Sequence, residues 1–96
     1  MKKFVFLYYG YETPTQDIKE AWMNWFESIG DKLIDGGNPF GAGRDVSRSG
    51  TTDLPHDMNA ITGYSIIRAE SLDEAEKIAQ TCPFMAGIRV YEAMAM

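Results

Sequence analysis

Cysteine and histidine are almost missing from this chain, which has one of each, Cys82 and His56, among 96 residues. A lone cysteine excludes an internal disulfide and gives an oxidising compartment no support. No Cys, His and carboxylate group shows metal-ligand spacing, so neither a structural zinc nor another metal is expected. Clustered positive charge is lacking too. The nine Lys and Arg residues are scattered and the formal net charge is −5. Phosphate backbones demand grouped cations, so nucleic acid is not an expected partner.

Long apolar runs are absent, and no stretch approaches the length of a membrane-spanning helix, so no membrane partner is expected. The opening Met1-Lys2-Lys3 before Phe4–Tyr9 imitates a signal peptide. However, the apolar run is short, it ends in Gly10-Tyr11-Glu12, and no small-residue cleavage site follows. A first strand in a cytoplasmic protein is the expectation. Nucleotide fingerprints are incomplete: Gly41-Ala42-Gly43-Arg44 lacks a third glycine, and no Gly-Lys-Ser/Thr ending occurs. No cofactor is expected.

What is present is a regular order of elements in a length that suits a single domain, residues 1–96. Lys3–Tyr9 is aromatic and β-branched on both alternating faces, the mark of a strand buried on two sides. Thr13-Pro14-Thr15-Gln16 reads as a helix start, with Thr13 as cap, Pro14 at the first helical position and Gln16 at capping-box spacing. Ile18, Trp22, Trp25, Ile29 and Leu33 then recur at steps of three and four, predicting one apolar stripe as far as about Leu33.

Periodicity stops between Gly36 and Asn59, where five glycines and two prolines gather. Irregular stretches this long are uncommon and usually functional; a short strand or hairpin near Arg44–Ser49 is expected inside it. Ile61–Ala69 reads as a strand. Ser71-Leu72-Asp73-Glu74 is a capping box opening a second helix. Ile88–Ala93 is the last strand.

Two helices alternating with strands in so short a chain should cover one face of a single antiparallel sheet. The expected class is therefore α+β, with a ferredoxin-like βαββαβ order. The other face would have no cover within the chain, although Val5, Leu7 and Tyr9 are apolar there as Phe4, Phe6 and Tyr8 are on the first. A large uncovered apolar face marks an interaction surface, and closed dimers are the commonest assembly. A domain of this size buries only roughly 60–65% of its unfolded surface, which also favours association. A homodimer through the sheet face is expected, with Met94 and Met96 placed to pack across it.

Gly63-Tyr64-Ser65-Ile66-Ile67-Arg68-Ala69-Glu70-Ser71-Leu72-Asp73-Glu74-Ala75, with Cys82-Pro83 after it, resembles the YCII-related (DGPF-domain) family. Phe4–Gly10 and Asp35-Gly36-Gly37 resemble the same family at matching places. The resemblance implies a dimeric α+β barrel with a cleft between sheet and helices. Its superfamily includes muconolactone isomerase-like and dehydrochlorinase-like enzymes acting on small aromatic or lactone compounds; other members sit beside sigma factors. Two departures stand out. The family's catalytic members resemble one another in a His–Asp pair with the His on the first helix, where this chain has Ala21, Trp22 and Met23. The Asp-Gly-Pro-Phe tetrad expected before the third strand is replaced by Leu54-Pro55-His56-Asp57.

Candidate catalytic residues are His56 and Asp35. His56, the one imidazole, could act as a general base or acid or be a plain loop residue. Asp35, before two glycines, could point into the cleft or serve its own turn. Candidate ligand-binding residues are Tyr9, Trp22, Arg44 and Tyr64. The phenols of Tyr8, Tyr9 and Tyr64 need partners if buried and could line a pocket or a dimer interface. Trp22 lies on the helical stripe and could equally be core. Arg44, with Arg48 nearby, could hold a carboxylate through two hydrogen bonds or keep the loop soluble. Two functions follow. One is small-molecule binding, with a lyase or isomerase that uses His56 or Asp35 in a cleft shared by Trp22 and Tyr9. The other is a non-catalytic regulatory or protein-interaction module.

Overall fold

The computed structural model describes residues 1–11 and 13–95; Glu12 and Met96 lie outside the described residues, and so does the packing expected of Met96. The chain runs β1 (Lys2–Tyr9), α1 (Gln16–Ile29), β2 (Leu33–Asp35), β3 (Arg44–Ser47), β4 (Gly50–Asp53), β5 (Ile61–Ala69), α2 (Leu72–Gln80) and β6 (Gly87–Ala93). Four strands form one antiparallel sheet in the order β2-β5-β1-β6, and β3-β4 make a separate ribbon. Strands β1 and β2 flank β5, and β5 and β6 flank β1. Two split β-α-β units therefore interlock, which is the ferredoxin-like α+β plan.

Register sorts the side chains into two faces. Phe4, Phe6 and Tyr8 of β1 stand beside Ile67, Ser65 and Gly63 of β5 and beside Glu92, Val90 and Ile88 of β6. Against this face lie Trp25 and Ile29 of α1 and Ala75, Ile78 and Ala79 of α2, all buried with Ala69 and Cys82. Small residues on α2 and β5 let helix and strand approach closely. The Trp25 indole N–H donates to Thr81 Oγ1 at 2.9 Å, tying α1 to the end of α2. Val5, Leu7 and Tyr9 stand beside Ile66, Tyr64, Tyr91 and Arg89 on the opposite face, where no helix of the described residues lies. Tyr91 remains 57% exposed.

Several sequence expectations need correction. Helix α1 is capped by Thr15, whose hydroxyl accepts from Ile18 N at 3.2 Å. Thr13 and Pro14 precede the cap because the second threonine of Thr-Pro-Thr has the right reach. The helix ends at Ile29, since Gly30 turns to φ 52° and a single 3-10 turn follows over Gly30–Lys32. Leu33 continues the helical spacing by coincidence; it belongs to β2 and pairs with Ile67. That short strand, not the loop hairpin, completes the four-stranded sheet.

The hairpin expected near Arg44–Ser49 is present but reaches Asp53. All eight of its strand residues are exposed. It is held by its own backbone pairs, by Arg44 Nε on Asp53 Oδ1 at 3.0 Å, and by Leu54 N donating to Gly43 O at 2.9 Å. This arm and the bare sheet face give a slab of 40 × 40 × 18 Å. The radius of gyration is 14.3 Å, against about 12.5 Å for a compact chain of this length.

Candidate functional site: an aromatic cleft beside the first helix

The Gly36–Phe40 segment leaves β2 and crosses the end of β5. It approaches so closely that a side chain at Gly37 would run into the Tyr64 carbonyl, and Gly37 adopts φ 74°, a conformation suited to glycine. Pro39 forms a bridge with Gly63, and Phe40 N donates to Thr62 O at 2.8 Å. Between this segment, the start of α1 and the ends of β1 and β5 lies a cleft of about 620 Å³. That is within the ordinary range for small-ligand sites, roughly 300–1,000 Å³.

Its walls are aromatic: Tyr8, Tyr11, Trp22, Phe26, Phe40 and Tyr64, with Ile18, Met23 and Met85 between them. Tyr8 and Trp22 meet edge to face at 4.8 Å between centroids, and Phe40 stacks on Tyr64 at 5.7 Å. These geometries suit ring quadrupoles and hold the walls in place. The side chains that bring polar groups are Lys19, Asn38, Thr62, the three tyrosines and the Trp22 indole N–H. Among the described residues that line the cleft there is no carboxylate, imidazole or thiol.

Tyr8 is nearly shut from water, and its phenol donates to Ser65 Oγ at 2.8 Å; Ser65, fully buried, donates in turn to Gly36 O at 2.8 Å. Burial pushes the Tyr8 phenol well above its ordinary value, against the opposing pull of the Ser65 hydrogen bond, with a smaller upward push from Cys82. Tyr8 is therefore a neutral hydroxyl at neutral pH.

The sequence candidates are scattered across this geometry. Trp22 and Tyr64 both line the cleft. Tyr64 rises from the strand on the open face beside Leu7, and its phenol donates to Asp35 Oδ2 at 3.4 Å. Tyr9 does not share the cleft with Trp22. Strand alternation turns it to the uncovered face, where Arg89 sits over its ring at 5.1 Å. Tyr8 occupies the expected place instead.

Asp35 serves its turn: Oδ1 accepts from Gly37 N at 2.9 Å while Oδ2 takes the Tyr64 phenol. Arg44 points along the exposed ribbon to Asp53 and borders neither this cleft nor its neighbour.

His56 is exposed and lines a second hollow of about 550 Å³, with Gly41, Leu54, Pro55 and Asp57. Its Nε2 lies 3.2 Å from Gly41 O, and its ring leans on Tyr11 at 5.5 Å. Phe40 lines both hollows; His56 lines only the second and Trp22 only the first.

Residues of the cleft that the sequence reading missed include Phe40, Phe26, Tyr11, Met85 and the Gly36–Gly37 backbone. Tyr8 and Tyr9 carry the same chemistry, and only the strand register sets Tyr8 on the face of Phe4 and Phe6, beside Gly63 of β5.

Similarity to proteins of known structure agrees with the fold and goes no further. The chain is similar to 5-chloro-2-hydroxyhydroquinone dehydrochlorinase (TftG) from Burkholderia phenoliruptrix AC1100, solved in complex with 2,5-dihydroxybenzoquinone. The two share 22% identity over 96% of this chain and 93% of that one, with a TM-score of 0.61. At that identity the likeness establishes a common α+β architecture. No known family matches the sequence, and no curated protein does.

Proposed function

We propose that this protein binds a small aromatic compound in the cleft between α1 and the sheet, and that it does so as a homodimer joined through the open sheet face. The observation that carries the proposal is the aromatic lining of the cleft, in which Tyr8 and Trp22 meet edge to face and Phe40 stacks on Tyr64. A planar ring entering such a slot gains stacking on several sides and releases water from apolar surface. The described lining offers few polar groups, which would orient a ligand rather than compete for it. The dimer rests on Val5, Leu7, Tyr9, Ile66 and Tyr91, an apolar face without cover from its own chain.

A lyase or isomerase acting in the same cleft is the second reading. It draws support from the dehydrochlorinase that shares the fold and from the contact between His56 and Tyr11. In that reading His56 would have to reach past Tyr11 to a bound compound, since a base must come within hydrogen-bond distance of its proton. A regulatory module that senses the same compound needs no such movement, and Asp35 would then only shape the turn.

Titration with one- and two-ring aromatic compounds, followed through the Trp22 and Trp25 indole N–H resonances, tests the binding proposal. Trp22, on the wall, should shift strongly and Trp25, behind it, weakly. A panel that leaves Trp22 unmoved would end it. Native mass spectra of the same samples test the dimer, and isomerisation or halide elimination by the wild type but not by His56→Ala would promote the enzyme reading.

A further inference from the structure

The hydrogen-bond chain behind the cleft has only one possible direction. Gly36 offers a carbonyl, which can accept but never donate. The Ser65 proton is therefore committed to Gly36 O, at 2.8 Å, and the Ser65 oxygen is left to accept from Tyr8, also at 2.8 Å. The Tyr8 proton is committed in its turn. Ser65 is fully buried, out of reach of water that might reverse the chain. Tyr8 and Gly36, the two ends, both line the cleft, while Ser65 does not.

A phenol whose proton is held elsewhere still has a lone pair to offer. We infer that Tyr8 presents an acceptor, not a donor, to the cleft, so that the ligand is an aromatic compound carrying a hydroxyl (or an equivalent O–H or N–H donor) directed at the Tyr8 oxygen. Ser65 is a positioning residue, acting on the ligand through Tyr8. A compound with a carbonyl or ether oxygen at that place would set two lone pairs against each other in a cleft with few other polar groups. Such a buried mismatch costs more than an unmade contact, because neither oxygen retains its water. This inference rests on the binding reading above and adds the polarity of its ligand.

The test uses 2-naphthol, a flat two-ring donor, and 2-methoxynaphthalene, which keeps the rings and loses the donor. Both are titrated into the full chain while the Trp22 indole resonance is followed, for the wild type, Tyr8→Phe and Ser65→Ala. The wild type should prefer the naphthol by roughly tenfold or more, the effect of one buried donor–acceptor mismatch. In Tyr8→Phe the acceptor is gone and the preference should collapse. In Ser65→Ala the Tyr8 proton is released and can turn to the ether oxygen, so the preference should also fall, chiefly through tighter binding of the ether. A merely structural role for Ser65 would weaken both compounds alike and keep their ratio.

Equal wild-type binding of the two compounds, with Trp22 shifting, would leave the aromatic cleft standing and overturn the inference. So would a naphthol preference that survives in Tyr8→Phe. Absence of any Trp22 shift with either compound would remove the cleft reading itself, and this inference with it.

Discussion

Along β1, Phe4, Phe6 and Tyr8 point to the helices and are shut from water, whereas Val5, Leu7 and Tyr9, each one step along the same strand, stay half-buried. The two sets differ little in apolar character. What separates them is the cover supplied from elsewhere. Trp25, Ile29, Ala75 and Ile78 close the first face into a core, and a cleft remains where α1 diverges from the sheet near Tyr8 and Trp22. The second face has no helix over it among the described residues. On our proposal, one strand thus serves stability and ligand binding through its even positions and assembly through its odd ones.

The largest expected effect tests whether the faces really differ in energy. Phe6→Ala removes a fully buried ring stacked 6.4 Å from Trp25, and should cost about 3–5 kcal/mol of unfolding free energy. Urea denaturation at high dilution measures it against Leu7→Ala, which should cost far less there. Equal losses would mean the open face is covered in some way the fold does not show.

Assembly comes next. Leu7→Asp places a charge in the middle of the open face and should turn a dimer mass into a monomer mass in native spectra. The melting temperature of the wild type should rise with protein concentration and that of the variant should not, because a dimer is favoured by mass action. A concentration-independent wild type would sink the dimer.

A chemical probe sharpens the same contrast. Burial pushes the Cys82 thiol up to about 12, so its reactive thiolate is scarce at pH 8. Ellman's reagent should leave native protein unlabelled and titrate one thiol in denaturant, whereas Leu7→Cys should add a thiol that reacts in the dissociated protein. Rapid native labelling of Cys82 would show that the covered face opens.

The smallest effect concerns the edge of the core, where Lys32 Nζ donates to Glu74 Oε1 at 3.1 Å and joins the 3-10 turn to α2. That bond holds the Glu74 carboxyl below its ordinary value; partial desolvation opposes it, while the Glu70 N–H and the Lys32 and Lys77 charges assist. A depressed carboxylate pKa means that the unfolded chain takes the proton first. The contribution is therefore complete above the ordinary glutamate range and fades as pH falls through the depressed folded value. Glu74→Gln should flatten this part of the stability–pH curve between neutral and acid pH and change little at neutrality, as a half-exposed pair would.

Local signals were legible wherever neighbouring residues decide the outcome. Ser71 caps α2 and accepts from Glu74 N, as the capping box requires, and Ile61–Ala69 forms one strand from end to end. The limits of α1 were less legible. Thr13 and Thr15 offer the same cap chemistry, and Leu33 satisfies a helical step while lying in a strand. The site was least legible of all. Phe40 and the Gly36–Gly37 backbone come from a stretch without periodicity, and Tyr8 and Tyr9 are adjacent and chemically identical.

By itself the sequence determined the order of elements, the antiparallel α+β plan and the apolar character of both sheet faces, because alternation and helical spacing are local properties of the chain. Only the tertiary structure decided which face the helices cover, since that depends on the handedness and reach of two crossovers and not on hydrophobicity. The same step placed Tyr8 in the cleft and Tyr9 outside it, and brought Gly36, Ser65 and Tyr8 into one hydrogen-bond chain across positions 29 and 57 residues apart. It also set His56 in a second hollow and not in the cleft of Trp22, because a loop residue's surroundings are set by packing and no repeating pattern announces them.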